Sequence, residues 1–365
     1  MEKGYFFTGF PGFICNQLIR QVIKKTDMRG VIYTLVLPKM MSRAIEERNQ
    51  LVKECGILDE QFVIIEGDIT ALSLGLSPAM QMEIKEKINY VFHLAAIYDL
   101  AVNKDVAVHV NVNGTKNVNK FVRGLPNIKR YTYFSTGFIA GRREGKLYEH
   151  ELIRPSQFKN YYEETKFEAE VMVEMLKKDV PVTIIRPGIV KGNTKTGETI
   201  KFDGPYFIMN FIDRLRFLPF LPRLGESEAV VNLVPIEYIV AATTYLSFHE
   251  GGEGKTYHLT DPSPYKVSEL YEMLMEELIN KRPRGSIPLS AAQWGLSIKP
   301  LRRYLGVEKE ALDYFSWLGQ FDCTQAQMDL LGSGISCPDF KDGVPAMVSF
   351  YMKNKDNPRY QVKII

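Results

Sequence analysis

The stretch YFFTGFPGFIC at residues 5–15 constrains this chain more than any other. A short apolar run enters Thr8-Gly9-Phe10-Pro11-Gly12-Phe13-Ile14, and a helical pattern follows at once. Strand, glycine turn and helix in this order form a cradle for a dinucleotide. Gly9 permits the tight turn, and Gly12 lets the backbone approach a pyrophosphate. The free N–H groups and positive dipole end of the helix then hold the phosphates. Cys15 stands where a third glycine commonly lets helix and strand pack closely.

Downstream, Tyr162 and Lys166 read Tyr-x-x-x-Lys inside a helical pattern, which puts both on one helix face, one turn apart. A free phenol, with a pKa of about 10, is a poor acid or base near neutrality. An ammonium beside it favours phenolate, so the spacing predicts a Tyr162 pKa drawn down towards the working range. Between the two motifs an apolar run over 130–134 ends in Ser135 and Thr136. A hydroxyl there can donate to a substrate carbonyl oxygen beside the tyrosine; Thr136 is the better placed, with Ser135 its neighbour.

Three motifs in this order resemble the extended short-chain dehydrogenase/reductase superfamily, over about residues 4–265. Val63-Ile64-Ile65-Glu66-Gly67-Asp68-Ile69 resembles the third strand of that family, and the resemblance places Asp68 and Ile69 by the adenine. His93-Leu94-Ala95-Ala96 resembles the fourth strand, with Leu94, Ala95 and Ala96 lining the cofactor. Asn111-Val112-Asn113-Gly114-Thr115 resembles the start of the next helix, with Asn113 at the cofactor. Arg186-Pro187-Gly188-Ile189-Val190 resembles the loop that covers the nicotinamide, through Pro187, Gly188, Ile189 and Val190. The resemblance implies a Thr136, Tyr162, Lys166 triad, with Ser135, Tyr162 and Lys166 also touching the cofactor.

The remaining organisation fits this fold. Apolar strand-like runs at 5–8, 31–37, 62–66, 90–95, 131–135 and 182–186 alternate with helical patterns at 16–25, 42–55, 108–123 and 162–178. Such alternation predicts an α/β protein: a doubly wound, Rossmann-type parallel sheet covered on both faces. Residues 1–192 plus 229–263 are expected to form the dinucleotide-binding domain. Residues 193–228 plus 264–365 are expected to form a smaller, mainly helical substrate-binding lobe, with a mobile loop at 193–205.

Composition sets outer limits. At 365 residues and a formal charge of +3, nothing calls for nucleic acid. Cys15, Cys55, Cys323 and Cys337 form no C-x-x-C pair and no cluster with histidine, so neither a disulfide framework nor a metal site is expected, which suits a reducing cytosol. No apolar run approaches the roughly 18 residues of a spanning helix, and the first strand begins too early to leave room for a signal peptide. A cytoplasmic protein is the expectation. A homodimer is compatible with the fold, without a dimer-specific signal.

Cofactor choice rests on the end of the second strand, where an acid would bind the ribose 2′-hydroxyl and repel a 2′-phosphate. Here the chain reads Leu37-Pro38-Lys39, then Ser42 and Arg43, with no acid. Lys39 and Arg43 offer charge-assisted hydrogen bonds to a phosphate, so NADPH is expected over NADH. Within the superfamily the chain looks most like the thioester reductases, which include fatty acyl-CoA reductases and carrier-protein reductase domains. The runs carrying this likeness are residues 8–14, 95–100, 134–137 and 231–238. Leu37 departs from the arginine common at that strand end in the family. The resemblance implies reduction of an acyl thioester, delivered on coenzyme A or a carrier protein, to aldehyde or alcohol. Tyr98, Gly137, Phe138, Phe207 and Phe211 are the expected substrate contacts, with the apolar run 206–222 lining a long acyl pocket. A nucleotide-sugar epimerase, dehydratase or reductase uses the same triad and stays open, as do a steroid or hydroxyacyl dehydrogenase and a non-catalytic redox sensor.

Overall fold

The computed structural model describes residues 3–224, 228–362 and 364. Seven strands form the central sheet: β1 (Lys3–Thr8), β2 (Gly30–Val36), β3 (Phe62–Glu66), β4 (Ile88–His93), β5 (Arg130–Phe134), β6 (Val182–Pro187) and β7 (Thr256–Leu259). All neighbours pair in parallel, in the order β7-β6-β5-β4-β1-β2-β3. The order reverses between β1 and β4, which opens a crevice at the carboxyl ends of these two strands. The strands lack polar alternation because both faces are buried; β5 and β6 are buried throughout.

The helices used below are α1 (Phe13–Thr26), α2 (Met41–Cys55), α3 (Gly114–Arg123), α4 (Tyr161–Leu176), α5 (Tyr206–Leu215), α6 (Ile236–Phe248), α7 (Val267–Ile279) and α8 (Phe340–Asn354). On one sheet face α1 packs on α6, burying Leu18, Ile19 and Val22 with Ile239 and Leu246. On the other, α3 and α4 bury Val118, Val122, Val173 and Leu176 against Val91, Tyr131 and Ile184. Cross-strand aromatics tie the middle of the sheet together: Phe7 and Phe92 are register partners and stack with centroids 4.7 Å apart. Strand positions match the sequence pattern to within a residue or two, because β-branched and aromatic runs bounded by glycine have few other uses in a chain of this period.

The second lobe gathers α5, α7 and α8 around Phe202, Ile208, Met209, Leu274 and Met347. The 193–205 segment, expected to be mobile, is anchored instead. Asn193 Oδ1 accepts from Lys195 and Thr196 N–H, and Phe202 is 1% exposed. Gly197 lies so close to α8 that a Cβ would fall 2.1 Å from the Ala346 carbonyl. Residues 319–330, placed in the lobe by the sequence pattern, return to the sheet domain. Gly319–Phe321 pairs in parallel with Gly145–Leu147, and Ala326 and Leu330 join the core under α6 and β7. Among the described residues no helix is long and apolar enough to cross a membrane, and no cluster of His, Cys, Asp and Glu could hold a metal.

Candidate active site

The glycine turn has the geometry that a phosphate cradle needs. Gly9 sits at φ +98°, a conformation that L side chains rarely adopt, and a Cβ there would lie 2.9 Å from Ala95 N. At Gly12 a Cβ would lie 2.7 Å from the Gly9 carbonyl. Helix α1 starts at Gly12 with no capping side chain and no acid in its first turn, and it ends with Lys24 and Lys25. Its first N–H groups thus keep the positive end of the dipole for an anion. Cys15 is buried in the core beneath the turn. Phe10 is buried as well, its ring centroid 5.4 Å from that of Phe62. The cradle fits a dinucleotide, and so does the buried Ser135 Oγ, which has no protein partner at the end of β5.

Several expected contacts have a structural job. Thr8 is fully buried, and its hydroxyl accepts from Ala95 N–H at 3.2 Å. The same hydroxyl shares a hydrogen bond of 2.7 Å with His93 Nδ1, and His93 Nε2 shares one of 3.1 Å with Thr115 Oγ1. Burial and the nearby Lys166 hold His93 neutral, its pKa pushed down to about 3. Asp68 accepts from the Thr70 amide and hydroxyl, both at 2.8 Å, and so shapes the turn after β3. Ile69 packs under Gly114, where a Cβ would lie 2.6 Å from its side chain. Leu94, Ala95 and Ala96 line the crevice half-buried. Lys39 and Arg43 lie exposed at the end of β2, and Arg43 pairs with Glu47 at 3.9 Å. Pro187 and Gly188 are buried; Gly188 leaves no room for a Cβ beside Asn232, and Ile189 and Val190 run half-buried in parallel with Leu233 and Val234.

Helix α4 carries Tyr162 and Lys166 one turn apart, but they do not form the pair that the spacing predicts. Tyr162 is within hydrogen-bonding range of the Thr136 hydroxyl, and burial pushes its pKa up to about 12 rather than down. Lys166 points away from the phenol. Its Nζ donates to Tyr133 Oη at 2.9 Å and to the Phe134 carbonyl at 2.5 Å, with the ammonium 4.4 Å from the Tyr133 ring centroid. Desolvation lowers the Lys166 pKa to about 7, against the opposing pull of Glu170. The correction has a simple cause: helical spacing fixes Cα positions, whereas a long lysine stem seeks whatever acceptors a buried site offers. The protonated phenol is the form that donates a hydrogen bond.

Buried polar groups missed in the sequence complete this wall. Asn113, the expected cofactor contact, is exposed. Asn111, two residues earlier, is 1% exposed and clasps Ile97, accepting from its N–H at 2.9 Å and donating to its carbonyl at 3.1 Å. It also donates to Thr165 Oγ1 at 3.0 Å, beside Lys166 on α4. A π-helical turn over 108–113 rotates the asparagine inward, which an ordinary helical wheel does not foresee. Arg186, at the end of β6, forms a buried pair with Glu170 at 2.5 Å and donates to the Glu149 and Glu151 carbonyls. It ties the 149–151 segment and α4 to the end of β6.

A cavity of about 240 Å³ is lined by Phe138, two residues after Thr136, and by Tyr314, which lies within electrostatic reach of Tyr162. Phe138, Tyr314, Trp317 and Phe321 form its aromatic side, and Ile189, Val231, Asn232 and Pro262 face them. The rings interlock: Phe138 meets Tyr314 and Phe321 edge-on, with centroids 5.1 and 5.4 Å apart. Gly137 permits this closeness, since a Cβ would lie 2.8 Å from the Phe321 ring. Tyr98 is 56% exposed near Tyr162, with Lys201 over its ring. The first part of the 206–222 run, expected to line the pocket, serves the core, while Phe217 and Phe220 lie exposed. Phe207 is 4% exposed among Leu296, Leu305, Val307 and Leu312, and Phe211 packs towards Tyr271. The wall comes instead from 314–321, where Trp317 among charged residues was the visible hint.

Comparison with known proteins agrees with this geometry. The sequence profile of the Male sterility protein family, an NAD-binding family, matches residues 7–243. The chain belongs to that family. Among its relatives, Fatty acyl-CoA reductase wat of Drosophila melanogaster is 28% identical over 275 residues, covering 66% of this chain and 53% of that protein. The chain thus spans about half the length of that relative. The terminal R domain of the myxalamid PKS-NRPS biosynthetic pathway superposes with a TM-score of 0.79 at 23% identity, covering 98% of this chain and 92% of that one. MoeE5, solved with UDP-glucose and NAD, superposes at 0.62 with 17% identity, covering 97% and 100%. The fold is that of the extended short-chain dehydrogenases/reductases, and the expected likeness to thioester and fatty acyl-CoA reductases is borne out. Because the Male sterility protein fold is shared with a protein solved with a nucleotide sugar, the choice of substrate falls to the cavity.

Proposed function

We propose that this chain is an NADPH-dependent reductase of an acyl thioester. The observation that carries the reading is the chemistry of the cavity lined by Phe138 and Tyr314. Its aromatic walls have their polar ends turned outward: the Tyr314 hydroxyl donates to Glu163 Oε1 at 2.8 Å, and the Trp317 indole N–H donates to the Arg143 carbonyl at 2.8 Å. The Asn232 side chain is spent on both backbone groups of Asp261. Among the described residues no lysine or arginine lines the cavity, and Gln320 adds only one further polar side chain, so a sugar diphosphate would find no cation there. An acyl chain needs none.

The glycine turn, Ser135 and the loop 187–190 would hold the dinucleotide, with Lys39 and Arg43 at a 2′-phosphate. Bound NADPH supplies the hydride. Tyr162 and Thr136 donate hydrogen bonds to the thioester carbonyl oxygen, which becomes negative as the carbon is reduced. The Tyr162 hydroxyl, held protonated by burial, then delivers its proton to that oxygen. The resulting hemithioacetal collapses to aldehyde and thiol. A bound ribose would offer Lys166 acceptors in place of Tyr133 and Phe134.

The test is NADPH oxidation against a panel of acyl thioesters, free aldehydes and UDP-sugars. Thioester-dependent oxidation with aldehyde or alcohol as product is the expected result. Turnover of a UDP-sugar without any thioester activity would favour the nucleotide-sugar reading.

A further inference from the structure

Lys159 and Glu163 sit at the start of α4, their side chains 1% and 0% exposed and 3.6 Å apart. Removal of two charges from water offsets most of their mutual attraction, so a buried pair adds little stability over apolar residues of the same volume. The helix does not need the pair in order to begin. Asn160 already caps α4, its Oδ1 accepting from Glu163 N–H at 2.9 Å. What the pair does is join three pieces of the site. Lys159 Nζ donates to the carbonyl of Gly141, which ends the turn Gly137–Ala140. Thr136 caps that turn, its Oγ1 accepting from Phe138 N–H at 3.3 Å. Glu163 accepts from Lys159 N–H at 3.0 Å through Oε2 and from the Tyr314 hydroxyl at 2.8 Å through Oε1. Tyr314 Oη in turn accepts from Asn160 Nδ2 at 3.2 Å. The Lys159 ammonium lies 5.1 Å from the Tyr314 ring centroid. Tyr162 stands between Asn160 and Glu163 in the same helical turn.

We infer that Lys159, Glu163 and Tyr314 are positioning residues, which set the distance between the Thr136 and Tyr162 hydroxyls and hold both in register with the aromatic wall of the cavity. The inference rests on the thioester reading above, in which the two hydroxyls donate to one carbonyl oxygen. Lys159 ties α4 to the turn that Thr136 caps. Glu163 and Asn160 tie the same helical turn to Tyr314. Tyr314 meets the acyl group with its ring and steadies Tyr162 through its hydroxyl. Such donors act by standing in place before the charge develops, so their spacing matters more than their number.

The experiment takes the acyl thioester best reduced in the panel above and reads kcat, KM and melting temperature for variants of the full chain. Tyr314→Phe keeps the ring and removes the hydroxyl. Its kcat should fall about tenfold, with KM and NADPH affinity within about twofold of the wild type. Lys159→Met combined with Glu163→Gln removes both charges at nearly constant volume and leaves neither buried alone. That variant should melt within a few degrees of the wild type, with kcat down by about tenfold or more. Should it fail to fold, Tyr314→Phe decides alone. A purely structural role is separated by a cycle with Tyr162→Phe: in that background Tyr314→Phe should lower the residual rate by less than about twofold, because its hydroxyl acts through Tyr162. Wild-type kcat in either folded variant, or an undiminished further loss in the Tyr162→Phe background, would overturn the inference alone. Reduction of no thioester by the wild type would overturn it together with the reading on which it rests.

Discussion

The two sides of the catalytic crevice are built in different ways. The dinucleotide side is a backbone surface: Gly9, Gly12, the uncapped start of α1 and the strand ends at Leu94–Ala96 leave little for side chains to do. Its segments lie within a hundred residues of one another. The aromatic cavity proposed for the acyl group is a surface of side chains, with Phe138 brought against Tyr314, Trp317 and Phe321 from the other end of the chain. A backbone site needs glycine at fixed positions and therefore leaves a mark in the sequence. A site of interlocked rings can be assembled from any aromatic residues that the fold brings together, and leaves almost none.

The largest effect should come where the two sides meet. Tyr162→Phe removes the proton and one donor to the carbonyl oxygen. Turnover should fall by about two to four orders of magnitude, while NADPH titrated by fluorescence binds as before. A comparable loss of cofactor affinity would show that Tyr162 belongs to the dinucleotide side instead.

Phe207 sharpens the difference between lining and core. Buried among Leu296, Leu305 and Val307, it should lose about 3–5 kcal/mol of stability on truncation to alanine. Denaturant titration should show that loss with KM for the thioester little changed. An altered chain-length profile in a protein of normal stability would return α5 to the pocket.

On the dinucleotide side, Lys39 and Arg43 are exposed, and removing both should cost NADPH about ten- to a hundredfold in affinity while leaving NADH unaffected. Isothermal titration with the two dinucleotides measures the gap. An unchanged ratio would transfer phosphate recognition to other groups on α2.

The smallest effect is a pH slope. The folded protein holds Lys166 at about 7, below its ordinary 10.5. Between these values the unfolded chain binds more protons, so the contribution of Lys166 to stability rises with pH across that window and is flat below it. Thermal melts of the cofactor-free protein from pH 6.5 to 10, compared with Lys166→Met, should show this slope in the wild type and lose it in the variant. Tyr162, at about 12, should show no phenolate absorbance below pH 10. A Tyr162 transition near neutrality would restore the direct tyrosine–lysine coupling suggested by their spacing.

What the sequence by itself determined is the part governed by local rules. Short apolar runs alternating with helical patterns located six of the seven parallel strands and most of their covering helices, because each run must bury its own apolar surface where it stands. Gly9 and Gly12 marked the phosphate cradle because a side chain there meets backbone. Thr136, Tyr162 and Lys166 were found by motif, and the fold brings their elements together. Tertiary structure decided where their side chains point. Lys166 turned to Tyr133 and Phe134, Asn111 rather than Asn113 faced inward through a π-helical turn, and Phe207 went to the core while Trp317 went to the cavity. In each case the outcome depended on acceptors, rings or empty volume supplied by residues distant in the chain. A buried side chain settles where its charge, hydrogen bonds and volume are best matched, and those partners exist only once the chain has folded.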